Sequence, residues 1–248
     1  LGINGIEFLN TLDMYFETNS NNYLLSWQTS SLLMLSNVQV DVEKINRKFK
    51  DVEERRNAII KGTRDATILC SKAIVSMHAH KKNESIEYIE KAKKLLQQFK
   101  ELGKDDLQRY LYIAEQEFVE AYCLFSIIEN SGIPSMKSLE VSDISYVMGL
   151  LDCIGEIKRM IIDKIRSEGT SNINTLFELM DKIYGIIYPL AVYDNLMPGL
   201  RKKLDVARLL IENVRAIITE EKRRTIMIEK IDEFEKKFIT SSENTKSR

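Results

Sequence analysis

Glu117 and Glu120 stand one helical turn apart in "QEFVEAYCLF", and Asp152 and Glu156 stand one turn apart in "GLLDCIGEIKRM". At about 100° per residue, the first pair shares its helix face with Ile113, Leu124, Ile127 and Ile128. The second pair, with Arg159 and Asp163, fills a narrow polar slot on a helix that is otherwise apolar nearly all round. A solvated face does not carry that mixture. A buried ionised carboxylate costs several kcal/mol unless it is paired or coordinated, and Arg159 offsets one of the four charges. Mg²⁺ or Mn²⁺, which takes oxygen ligands and keeps waters that leave room for phosphate oxygens, would offset the rest. Spacing alone leaves this metal site open beside a structural reading in which the acids only pair along helices. Glu84, Glu87 and Glu90 form a further acidic series, but their neighbours are lysines, so they read as an exposed charged face.

Other chemistries find less support. His78 and His80, the only histidines, are two apart on a helix and point apart; both read as structural or surface residues. No Glu-x-x-His pair, glycine-rich phosphate loop, nucleophile elbow or zinc-peptidase motif occurs. Cys70, Cys123 and Cys153 lie far apart in apolar helical stretches, which predicts inert packing and a reducing, intracellular compartment. Arg64, Lys72, Arg201, Lys202 and Lys203 are candidates for an electrostatic lining that would bind phosphates. Arg159 either joins them or pairs with one of the carboxylates.

The elements that must position these residues are helices. The 248 residues are 44% hydrophobic with only three prolines, which favours helix nearly throughout and a large all-α domain. From Val38 to Met77, apolar positions alternate spacings of four and three, the mark of a packed seam. A helix of that length is roughly 60 Å long, so its neighbours must also be long or the chain must associate with itself. Further helices are expected at 85–102, 105–130, 142–167 with Gly169 as its stop, 174–188 and 199–238, separated by the loops "NSGIPSM" and "YPLAVYDNLMPG". Residues 1–36 contain Glu7, Asp13 and Glu17 but no Lys or Arg, and are expected to be an amino-terminal extension. Residues 37–238 form the helical domain, and 239–248 a disordered tail. The formal net charge of −1 predicts no obligate acidic partner. Neither a signal peptide nor an 18-residue apolar run is evident, so a cytoplasmic protein without a membrane partner is expected.

The two acidic motifs together resemble those of the translin family, closest to its translin-associated factor X branch. The family's E-Y-V-E-A-like run stands here as Glu117, Phe118, Val119, Glu120 and Ala121. Its Y-L-L-G-x-x-D-x-x-G-E-L-x-R-M-like run stands as Tyr146, Gly149, Asp152, Gly155, Glu156, Arg159 and Met160. Weaker likenesses are "GTRDATILCSKAIVSMH", "SMKSLEVSDISY" and "LRKKLD", and the resemblance covers roughly residues 40–220. Lys158 departs from the family's apolar residue at that place. The resemblance implies an all-α bundle of about seven long helices that assembles into a hollow octamer, either of one chain or with a translin-like subunit. It also implies a metal-dependent endoribonuclease acting on single-stranded RNA, with single-stranded DNA as a further ligand. Glu117, Glu120, Asp152 and Glu156 would hold the Mg²⁺ or Mn²⁺.

Three other readings compete with the ribonuclease. One is a translin-like protein that binds single-stranded RNA or DNA without cutting it. Another is an all-α nucleoside triphosphate pyrophosphatase, although that family's second motif is E-x-x-D where this chain has Asp152, three residues, Glu156. The last is a coiled-coil scaffold, which gives no reason for acids among Ile113, Leu124 and Ile127.

Overall fold

The computed structural model describes residues 5–167 and 173–246, with side chains described for 35–104, 106–167 and 173–237. Among the described residues there are seven α-helices and no strand, so the all-α expectation holds. They are α1 (Gly5–His78), α2 (Lys82–Leu102), α3 (Tyr112–Ile128), α4 (Met136–Leu139), α5 (Asp143–Ser167), α6 (Ile173–Ile187) and α7 (Leu200–Lys246). Two 3₁₀ stretches, Asp105–Tyr110 and Tyr188–Tyr193, precede α3 and follow α6. The chain divides into two compact units, Leu1–Arg55 and Arg56–Arg248.

In the second unit the core is built from four-three stripes. On α7 the buried positions are Leu200, Leu204, Ala207, Ile211, Val214 and Ile218, and on α2 they are Ser85, Ile89, Ala92 and Leu96. Glu84, Glu87 and Glu90 lie on the exposed face of α2, as expected. Helix α5 is the central element, packing on α3, α6 and α7 and burying Leu151, Ile154, Ile157 and Ile161.

The start of α5 is tied to the start of α3. The Glu115 side chain, only 2% exposed, accepts a hydrogen bond of 3.0 Å from the Ser142 amide. Ser145 Oγ donates to the Tyr112 carbonyl at 3.1 Å. A carboxylate at a helix amino terminus satisfies a free amide and complements the helix dipole, which offsets the cost of burying it. Farther along, Gly149 has no room for a side chain: a Cβ would lie 2.6 Å from the Gln116 carbonyl oxygen and 2.6 Å from Val119 Cβ. These ties set the register and spacing of α3 against α5.

Several expectations from the sequence need correction. The 38–77 seam is buried from Ile59 to Met77, but Val38, Val42, Ile45 and Phe49 are each at least half exposed. These four belong to the first unit. The expected 105–130 helix begins as 3₁₀, with the Leu111 amide bonded to the Gln108 carbonyl, and becomes α-helical only at Tyr112. It ends at Ile128, where Asn130 takes the left-handed conformation at φ 51° that closes helix ends. The "NSGIPSM" stretch leads into the short α4, capped by the Ser135 hydroxyl accepting from the Ser138 amide at 3.1 Å. The last helix does not stop at 238 but runs to Lys246, because no Gly or Pro interrupts 239–246. The extension is helical from Gly5 and continuous with the seam helix. The stop expected at Gly169 lies outside the described residues.

Candidate functional site

Helices α3 and α5 bring Glu117, Glu120 and Asp152 to one cleft of about 670 Å³. Its other wall is the start of α7, with Pro198, Gly199, Lys202 and Lys203. Gly199 sits at φ 91°, where a residue with a side chain would be strained, and this turn aims the first residues of α7 at the cleft. Glu156, one turn beyond Asp152, stands just outside the cleft lining but close enough that its charge acts on Glu120.

The four acids divide by partner. Asp152 receives a hydrogen bond from Gln116 Nε2 at 2.6 Å and forms an ion pair with Lys203. Glu156 meets His78 Nε2 at 2.5 Å and Arg159 at 3.8 Å. Glu117 and Glu120 are partly buried and have no hydrogen bond or ion pair among the described residues. Burial, followed by the charges of Asp152, Glu117 and Glu156, pushes Glu120 up to about 8 against the opposing pull of Lys203. Glu117 is raised by burial and by Asp152. The same field reaches the buried thiol of Cys70, raised first by burial and then by Glu117 and Glu120.

Of the other cationic candidates, Lys202 lines the cleft and Arg159 takes the carboxylate-pairing alternative. Arg201 is tied to the preceding turn instead, its amide donating to Asp194 at 2.9 Å and its Nε to the Ala191 carbonyl at 3.1 Å. Lys72 lies 5.9 Å from the Tyr88 ring centroid, and Arg64 is exposed; neither lines the cleft.

Two readings of the sequence are sharpened here. The face bearing Glu117 and Glu120 is mixed along its length: Leu124 on it is fully buried, whereas Ile113 is 70% exposed. The fully buried acid on α3 is Glu115. His78 takes the structural alternative: its side chain is 8% exposed and its Nε2 meets Glu156. Gln116 was equally hidden, because its partner lies 36 residues away and no local pattern marks it. All three cysteines are buried and unbridged, as expected.

Among the described residues no three His, Cys, Asp or Glu side chains are gathered around a point as a metal ion requires. Asp152 turns to Gln116 and Lys203, and Glu156 to His78. The donor chemistry nonetheless fits a hard divalent cation: the oxygens are carboxylates, and among the described residues no cationic side chain pairs directly with Glu117 or Glu120.

The translin family model matches residues 54–221. The chain belongs to the translin family. An uncharacterized protein of Methanocaldococcus jannaschii is 28% identical over 168 residues, which is 66% of this chain and 74% of that protein. The crystal structure of AfC3PO matches at a TM-score of 0.68 and 28% identity, covering 75% of this chain and 98% of AfC3PO. AfC3PO in complex with duplex RNA matches at 0.67 and 26% identity with the same coverage. Apo-NeC3PO, at 22% identity and a TM-score of 0.65, covering 73% of this chain and 96% of its own, supports the fold alone. The translin match begins close to the boundary between the two units and leaves the amino-terminal unit almost wholly outside it. No helix among the described residues is long and apolar enough to cross a membrane.

Proposed function

We propose that this translin-family protein is a metal-dependent endoribonuclease of the translin-associated factor X type, hydrolysing phosphodiester bonds of single-stranded RNA. The observation that carries the reading is the pair of half-buried, unpartnered carboxylates, Glu117 and Glu120, facing Asp152 across the α3–α5 contact, with the Glu120 carboxyl pushed up to about 8. Glu117, Glu120, Asp152 and Glu156 would hold Mg²⁺ or Mn²⁺. The bound cation supplies Lewis acidity to water and to the charge that builds on the phosphodiester.

The chain's own groups do the rest. Gln116 fixes the Asp152 carboxylate. Lys203 neutralises Asp152 in the cation-free protein and, with Lys202, presents positive charge to phosphate on the opposite wall. Arg159 balances Glu156. The duplex RNA complex of AfC3PO supports RNA as the ligand class, and single-stranded DNA shares the phosphate chemistry. The half-exposed Val38, Val42, Ile45 and Phe49, at heptad spacing, support self-association. The assembly proposed is a hollow homo-octamer or a hetero-octamer with a translin-like subunit, in the cytoplasm.

The Lys203–Asp152 ion pair favours one second reading, a binding protein in which the acids serve structure. Incubating the full chain with single-stranded RNA, single-stranded DNA or nucleoside triphosphates, in Mg²⁺ or in EDTA, separates the readings. Cleavage of RNA in Mg²⁺ and its loss in EDTA are expected. RNA that is bound but intact in Mg²⁺ establishes the second reading, and pyrophosphate release from nucleotides would overturn both.

A further inference from the structure

The second unit holds a largely buried imidazole, that of His78, which no part of the proposed reaction uses. His78 is the last residue of α1, and its side chain is 8% exposed. Its Nε2 lies 2.5 Å from Glu156 Oε2, and its Nδ1 lies 3.7 Å from Asp163 Oδ2. A carboxylate only accepts, so the Nε2–H donates to Glu156. The two acids are seven residues apart on α5, two full turns along one face.

Close packing is not the only thing that could fix this ring, because it borders a cavity of about 610 Å³ that Met77, Met160 and Leu176 also line. The Glu156 carboxylate holds it where the cavity leaves it free. The other cation on Glu156, Arg159, is about half exposed and stands 3.8 Å away, so it restrains the carboxylate less than the imidazole does.

We propose that His78 is a positioning residue for Glu156. By engaging Oε2 it fixes the carboxylate and leaves Oε1 as the oxygen available to a divalent cation. Asp163 lies beyond the ring, 3.7 Å from Nδ1, too far for a hydrogen bond. The role rests on the proposed metal-dependent activity, and it assigns this histidine the outer half of the site. Outer partners of this kind typically change metal affinity by about 10–100-fold.

The test is a Mn²⁺ titration of the full chain followed by electron paramagnetic resonance, for the native protein, Glu156→Gln, His78→Ala and His78→Gln. In parallel, the His78 Nε2 resonance is recorded by ¹⁵N NMR in the cation-free protein. His78→Ala is expected to weaken Mn²⁺ binding by about 10–100-fold with the helical circular dichroism unchanged. His78→Gln, whose amide N–H reaches the place of Nε2, restores most of that loss. Glu156→Gln shifts the His78 Nε2 resonance without any metal present.

Mn²⁺ affinity of His78→Ala within twofold of native, while Glu156→Gln loses it, overturns the role and leaves the functional reading standing. So does a His78→Gln variant no better than His78→Ala. Should His78→Ala fail to fold, native against His78→Gln decides, since a tenfold or greater loss with the amide in place contradicts positioning through Nε2. A native protein that binds no Mn²⁺ is a different pattern, and removes the functional reading together with this role.

Discussion

Glu120 is the residue on which the electrostatics of the site converge. Its ordinary value is 4.5 and its folded value about 8, so the cation-free folded state favours the protonated form. By linkage, that contribution to stability is fully present below about pH 4.5, declines as pH rises towards 8, and is lost above it. Glu120→Gln is therefore expected to match native stability near pH 5 and to exceed it near pH 9. Denaturant unfolding in EDTA at the two pH values measures this, and an equal loss at both would contradict it. The cations make a separate prediction. Lys202→Ala and Lys203→Ala should each weaken RNA binding and lower the slope of log K against log salt by about one, whereas Arg64→Ala should leave both nearly unchanged. Binding measured across a salt series distinguishes them.

At the scale of elements, the site depends on how closely α3 and α5 approach. In Gly149→Ala the added methyl meets a backbone carbonyl and Val119 Cβ at 2.6 Å each. A rigid carbonyl cannot step aside, so the helices must part. The expected cost is about 1–3 kcal/mol, read as a lowered melting temperature together with weaker Mn²⁺ binding; unchanged values for both would contradict the account. The two acid pairs were legible in the sequence because helical spacing and amphipathicity are local properties. Their partners were not. Gln116, His78 and Glu115 act on residues 27 to 78 positions away, and no periodicity reports contacts of that range. Arg201 misled for a related reason: a basic cluster marks a charged segment but cannot say which side chain is taken by a neighbouring turn.

For the whole molecule, the all-α class and the approximate helix boundaries followed from the scarcity of proline and the three-four spacing. The seam from Val38 to Met77 is uniform in sequence, yet only its second half is buried within the chain. Heptad spacing specifies that a helix has a partner and not whether that partner lies in the same chain. Native mass spectrometry is expected to find a multiple of the 28.7 kDa protomer, with eight protomers expected when the chain assembles alone; a stable monomer would contradict the enclosed assembly while leaving the cleft intact.

The central claim is that the α3–α5 carboxylates cut RNA with a divalent cation. Its most direct test is the single-turnover cleavage rate of single-stranded RNA in Mg²⁺ for native protein against Glu120→Gln and Asp152→Asn, with RNA affinity measured alongside. Native cleavage that falls at least about 100-fold in both variants, with RNA still bound, is the predicted result. Rates unchanged in the variants, or no cleavage by the native protein, would contradict it.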